Sequence, residues 1–97
     1  MDATFRTEVS ESPTRVRLIG ELDLACALQA TEEILASGCH VVDCADLTFI
    51  DSSGLVALTN AHLKVQANGQ HLVFTGFAGA PLHVLKVTGL NEVLHLA

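Results

Sequence analysis

Apolar or β-branched side chains alternate loosely with charged ones over residues 3 to 9, "ATFRTEV", and again over 15 to 20, "RVRLIG". A period of two predicts a pair of strands, each with one covered and one wetter face. They are joined through "SESPT", where Pro13 costs no ladder hydrogen bond. The period then changes in "DLACALQATEEILASG", residues 23 to 38. Leu24, Ala27, Leu28, Thr31, Ile34 and Leu35 fall on one helical stripe, and Gln29, Glu32 and Glu33 fall largely away from it. An amphipathic helix is expected there, with Asp23 as N-cap and Gly38 just past its end.

"HVVDCADL", residues 40 to 47, is a mostly apolar run and predicts a strand covered on both faces. After "TFID" the helical period returns in "SSGLVALTNAHLKVQANG", where Leu55, Leu58, His62 and Val65 share a face and Asn68-Gly69 supplies the stop. "QHLVFTG", residues 70 to 76, predicts another strand. "APLHVLKVTG" predicts a third helix, with Pro81 in its first turn and Gly89 at its end, and "NEVLHLA" can form a last short strand or helix. The succession favours a mixed sheet with covering helices, an α/β fold.

The 97 residues, 49% hydrophobic and 16% charged, suit one compact domain over 1–97, with no repeat or linker to divide them. No stretch approaches the roughly 18 consecutive apolar residues of a membrane-spanning helix, and the start lacks the features of a signal peptide. A cytoplasmic protein with no direct membrane insertion is expected. The net charge of -6 and the scarcity of aromatic side chains argue against direct nucleic-acid binding. Nine of the eleven acids lie in residues 1 to 46, which makes Asp51 a lone acid among small and apolar neighbours. Cys26, Cys39 and Cys44 match neither a disulfide framework nor a zinc site and are expected to be reduced and mostly buried.

The candidate chemistry is in "FIDSSGL", residues 49 to 55, where two hydroxyls lie between a carboxylate and a glycine at a helix start. The pair could serve as a nucleophile, an anion cradle, a switch or simply a cap. A serine nucleophile needs a base within hydrogen-bond reach. His62 is nine residues past Ser53, about 13 Å along a helix at about 1.5 Å per residue. The motif is not a GxSxG elbow, so no catalytic residue is assigned. "GFAGAP", residues 76 to 81, lacks the lysine or third glycine of a nucleotide loop, and Gly76 and Gly79 read as turn formers. Asp43, Asp46 and Asp51 lack a metal-ligand spacing, and no metal or other cofactor is expected. A phosphate on a serine here would add about -1.5 to -2 charge at the first N–H groups of the helix. Gly54 is expected to keep the surface near the hydroxyls open to another protein.

The combination of "GELD" at 20 to 23 and "LTFIDSSGL" at 47 to 55 resembles the STAS domain, and among its members the bacterial anti-sigma-factor antagonists. The resemblance covers almost the whole chain. It implies a mixed sheet of four or five strands with helices on it, and it implies phosphorylation of Ser53, the serine immediately before the glycine. The kinase would be a partner that is both anti-sigma factor and ATP-dependent serine kinase, bringing its own nucleotide and magnesium. That partner is bound while Ser53 is unphosphorylated, and a serine phosphatase resets the protein. Asp51 and Ser52 would flank the acceptor, Asp23 would help form the docking face from the neighbouring loop, and Gly54 is expected among the partner-binding residues. STAS domains also occur as constitutive accessory subunits of lipid-transport ATPase complexes. A chain with two lysines and no Trp or Tyr would suit a subunit clasped by a larger protein.

Overall fold

A computed structural model describes residues 5–11 and 14–97. The expected turn at Pro13 and the strand start at residues 3 and 4 lie outside the described residues. In chain order the elements are β1 (Phe5–Ser10), β2 (Arg15–Leu22), α1 (Ala27–Ser37), β3 (Val41–Ile50), α2 (Ser52–Ala67), β4 (Val73–Thr75) and α3 (Gly79–Thr88). A 3₁₀ turn (Leu90–Glu92) and β5 (His95–Leu96) close the chain.

The strands form one sheet in the order β1-β2-β3-β4-β5, with β1 antiparallel to β2 and the other pairs parallel. The mixed sheet expected from the sequence is therefore present, with five strands. Each parallel crossover steps in the same direction, so the right-handed rule lays α1, α2 and α3 on one face. Burial agrees. Val16, Leu18, Val42, Cys44 and Phe74 are buried in the core with Ile34, Leu58 and Leu85 from the helices.

The other face of the sheet carries charge. Between the buried residues of β2 and β3 stand Arg15, Arg17 and Asp43, and Arg17 pairs with Glu8 of β1 and Asp46 of β3. The expectation that residues 40 to 47 are covered on both faces is thus corrected. β3 is longer, buries one face, and leaves Asp43 and Asp46 on a polar surface where arginines balance them. Irregularities in the β2–β3 register after Arg17 and after Gly20 shift the alternation. The buried positions of β3 accordingly move from a spacing of two, Val42 and Cys44, to a spacing of three, Leu47 and Ile50.

Helix α2 matches its sequence pattern. Leu55, Leu58 and His62 are buried, and the helix ends at Ala67 before Asn68-Gly69. In α3, Pro81 sits in the first turn and Gly89 closes the helix with φ 78°. Helix α1 departs from its pattern. It starts at Ala27, its N-cap is Cys26, and its buried residues are Ala30, Thr31 and Ile34. Leu24 and Leu28, assigned to the covered stripe, are 76% and 70% exposed. Gly38 does end the helix in the left-handed region, as expected.

Candidate functional site

The site forms at the carboxyl ends of β2 and β3. Leu22 and Ile50 are partners in the parallel register, so the next residues, Asp23 and Asp51, leave the sheet side by side. The Asp51 N–H donates to the Leu22 carbonyl at 3.2 Å, which ties the two exits together. The adjacency on which the reading of Asp23 depends is therefore built from backbone pairing.

Asp51 caps α2. Its backbone is extended and its carboxylate accepts from the Gly54 N–H at 2.9 Å. Ser52 and Ser53 follow as the first two helical residues. Among the described residues neither serine side chain makes a hydrogen bond, so the cap does not consume a hydroxyl. No histidine is hydrogen-bonded to them either, and the ring of His62 packs instead against His95 at 5.1 Å.

Asp23 is not the cap of α1. Its Oδ1 accepts from the Ala25 N–H at 3.0 Å, closing a turn over residues 24 to 26 before the helix starts. Cys26 locks that turn, its thiol donating to the Glu21 carbonyl at 3.2 Å and lying 3.4 Å from Asp23 Oδ1. Burial pushes this thiol up, and the Asp23 carboxylate adds to the rise against an opposing backbone hydrogen bond. Burial drives the Cys44 thiol up as well. All three cysteines are buried, in line with the sequence reading.

Gly54 serves a different purpose from the one read in the sequence. It is buried, and a Cβ at this position would stand 2.5 Å from the Leu22 carbonyl oxygen and 2.7 Å from Ile50 Cγ1. Its φ is not positive. The close approach that glycine permits is internal, between the first turn of α2 and the end of β2, rather than toward a visitor at the surface.

Beside the serines the surface is apolar. A shallow groove of about 250 Å³ between α1 and α2 is lined by Ala27, Leu28, Ser53 and Val56, and Lys64 lies on its lining. An adjoining depression of about 320 Å³ brings Leu24, Ser52 and Ser53 together with Val56. Thr31 ties the two helices beneath, donating to the Ala57 carbonyl at 3.1 Å. The exposed rim, Leu24, Leu28 and Val56, was missed in the sequence. One signal was available, because Val56 lies off the Leu55, Leu58, His62 stripe and marks an apolar position on the outer side of α2.

A family model described as "Mlab, STAS domain" matches residues 5–96. The chain belongs to the STAS domain family. No curated protein matches it in sequence. Among solved structures, an anti-sigma factor antagonist from Mycobacterium paratuberculosis is 23% identical with a TM-score of 0.79, over 95% of this chain and 84% of that one. The phosphorylated form of the Bacillus cell fate determinant SpoIIAA is 22% identical with a TM-score of 0.63, over 96% and 90% of the two chains. The unphosphorylated form of the anti-sigma factor antagonist SpoIIAA is 18% identical with a TM-score of 0.64, over 96% and 86%. At these identities the likeness is one of fold. No helix among the described residues is long and apolar enough to cross a membrane.

Proposed function

We propose that the chain is a single-domain, cytoplasmic partner-switching module of the anti-sigma-factor antagonist type, with Ser53 as its phosphorylation site. The observation that carries this reading is the division of labour at the start of α2. Asp51 caps the helix, which leaves the Ser53 hydroxyl without a hydrogen bond among the described residues, on the lining of an exposed apolar groove. A serine needed only for capping would have had its oxygen on a backbone N–H.

Unmodified, the face is a neutral hydroxyl beside Leu24, Leu28 and Val56, suited to capture by an anti-sigma factor that is also a serine kinase. A phosphate on Ser53 would bring about -1.5 to -2 charge to a site that already holds Asp51 and the neighbouring Asp23. Like charges facing a partner cost several kcal/mol, and about 2.7 kcal/mol already corresponds to a hundredfold loss of affinity. The partner supplies nucleotide and magnesium, and a serine phosphatase restores the neutral surface. Asp23, Asp51 and Ser52 belong to the docking face with Ser53, and Gly54 supports it by letting the first turn of α2 sit against β2.

The test is phosphosite mapping of the protein from its own cells across growth and stress conditions, joined to partner binding by Ser53→Ala and Ser53→Asp. A condition-dependent phosphate on Ser53 is expected, with Ser53→Ala retaining the partner and Ser53→Asp releasing it at least about tenfold more readily. Equal binding by both variants would remove the switch.

A second reading draws on the 76%, 70% and 57% exposure of Leu24, Leu28 and Val56. Contiguous apolar side chains of this kind suit a face that is permanently covered. In that reading the chain is a constitutive accessory subunit of a transport ATPase complex. Stable co-purification with a transporter subunit, with Ser53 unmodified in every condition, would select it.

A further inference from the structure

At the opposite end of α2 from Ser53, three imidazoles from three separate segments come together. His62 is in the third turn of α2, His71 lies just before β4, and His95 opens β5. The His62 and His95 rings are 5.1 Å apart between centroids, and those of His71 and His95 are 5.5 Å apart. His62 is 4% exposed, and its Nδ1 is buried with no hydrogen-bond partner among the described residues. An orphaned polar atom in a core costs stability and calls for a physical reason.

The cluster holds the weakest attached strand of the sheet. β5 meets β4 through two register pairs, Val73 with His95 and Phe74 with Leu96, followed by the Ala97 N–H donating to the Phe74 carbonyl at 3.0 Å. Leu94, buried, is the apolar anchor just ahead of it. Such short edge segments open at a lower free energy than central strands.

We propose that His62, His71 and His95 form a proton-sensitive latch, in which protonation of His62 releases β5 from α2 and β4 while the rest of the sheet stays folded. The groups acting on His62 are His95 on β5 and His71 ahead of β4, and both oppose a proton there. Among the described residues no carboxylate is within salt-bridge distance of His62. Nor, among the described residues, is any set of three ligand-type side chains arranged to hold a metal ion. Burial is the larger cause that holds His62 below its ordinary value, with the two neighbouring imidazoles adding to it. Neutral His62 therefore favours the closed form at pH values above the ordinary imidazole range. That contribution fades as pH falls below it and is gone once pH has dropped through the depressed value of the closed form. Opening β5 lets water reach the ring and separates it from His95.

The experiment is native-state hydrogen exchange of the full chain between pH 7.5 and 5, corrected for intrinsic rates. The Ala97 amide is compared with amides of β2 and β3, and the His62 Cε1–H titration is followed by NMR in the same samples. Protection at Ala97 is expected to fall by up to about tenfold per pH unit below roughly 6.5, while remaining lower than that of β2 and β3 throughout. His62→Gln is expected to abolish the pH slope at Ala97 with His71 and His95 still present. A slope retained in His62→Gln would overturn the latch, as would protection at Ala97 equal to that of β2 and β3 at every pH. Should His62→Gln not fold, the wild-type titration decides. A His62 midpoint below about 6.5 that tracks the loss of Ala97 protection supports the latch, and an uncoupled midpoint overturns it.

Discussion

The two helices that border the groove differ in where the apolar stripe read from the sequence ends up. Helix α2 buries the large side chains of its sequence stripe, Leu55 and Leu58, beside the small Ala57 and Ala61, and only Val56 and Leu63, off that stripe, are exposed among its large apolar residues. The segment leading through α1 packs with Ala30, Thr31 and Ile34 and leaves Leu24 and Leu28 in solvent, next to Ser53. On α2 the apolar stripe is a record of the core. On α1 the same period combines a core face with a surface face, and the second has no cover within the described residues. Periodicity counts apolar positions, but it does not say whether their cover belongs to the same chain or to another.

Truncating one leucine from each region separates the buried stripe from the exposed one. Leu58, fully buried against the sheet, is expected to cost about 2–5 kcal/mol as Leu58→Ala, through lost burial and the cavity left behind. Urea denaturation measures it, and a near-wild-type midpoint would show that α2 does not anchor the core. Gly54→Ala comes next. The added methyl must displace the Leu22 carbonyl, Leu22 Cγ or Ile50 Cγ1, all within 2.9 Å of it. A loss of about 1–3 kcal/mol is expected, and because α2 must move away from β2, partner binding should fall with it. A stable Gly54→Ala that docks normally would mean the contact relaxes without cost.

How far the sequence reveals the molecule follows the same division. Strands β1 to β4, α2, α3 and the glycine stop of α1 were legible because each carries a local signal: a period, a proline in a first turn, a glycine after a last turn. Asp23 misled because one carboxylate has two local uses. It can cap a helix or bond its own backbone two residues on, and the Ala25 N–H together with the Cys26 thiol selects the second. The polar face of β3 was hidden because Asp43 and Asp46 find their counter-charge in Arg17, a pairing set by register between segments distant in sequence. The side of Gly54 that needed to be small was likewise invisible, since it depends on where β2 ends. The serine pair itself was legible from the motif, and its freedom from capping emerged only with the Asp51 to Gly54 hydrogen bond.

The smallest expected effect on folding is also the one that separates the two regions most cleanly. Leu28 is 70% exposed, so Leu28→Ser exchanges one solvated side chain for another. Its stability should stay within about 0.5 kcal/mol of wild type. If the groove is a docking face, the same change removes an apolar anchor beside Ser53, and truncating an anchor at the centre of an interface costs more than about 1 kcal/mol of binding. Titration calorimetry against the captured partner, run beside a urea melt, should therefore show a loss of about fivefold or more in affinity with an unchanged melt. Parallel loss of both would mean that Leu28 is packed within the domain in solution. Loss of neither would confine the docking face to the serine turn and leave the α1 leucines without a role in it.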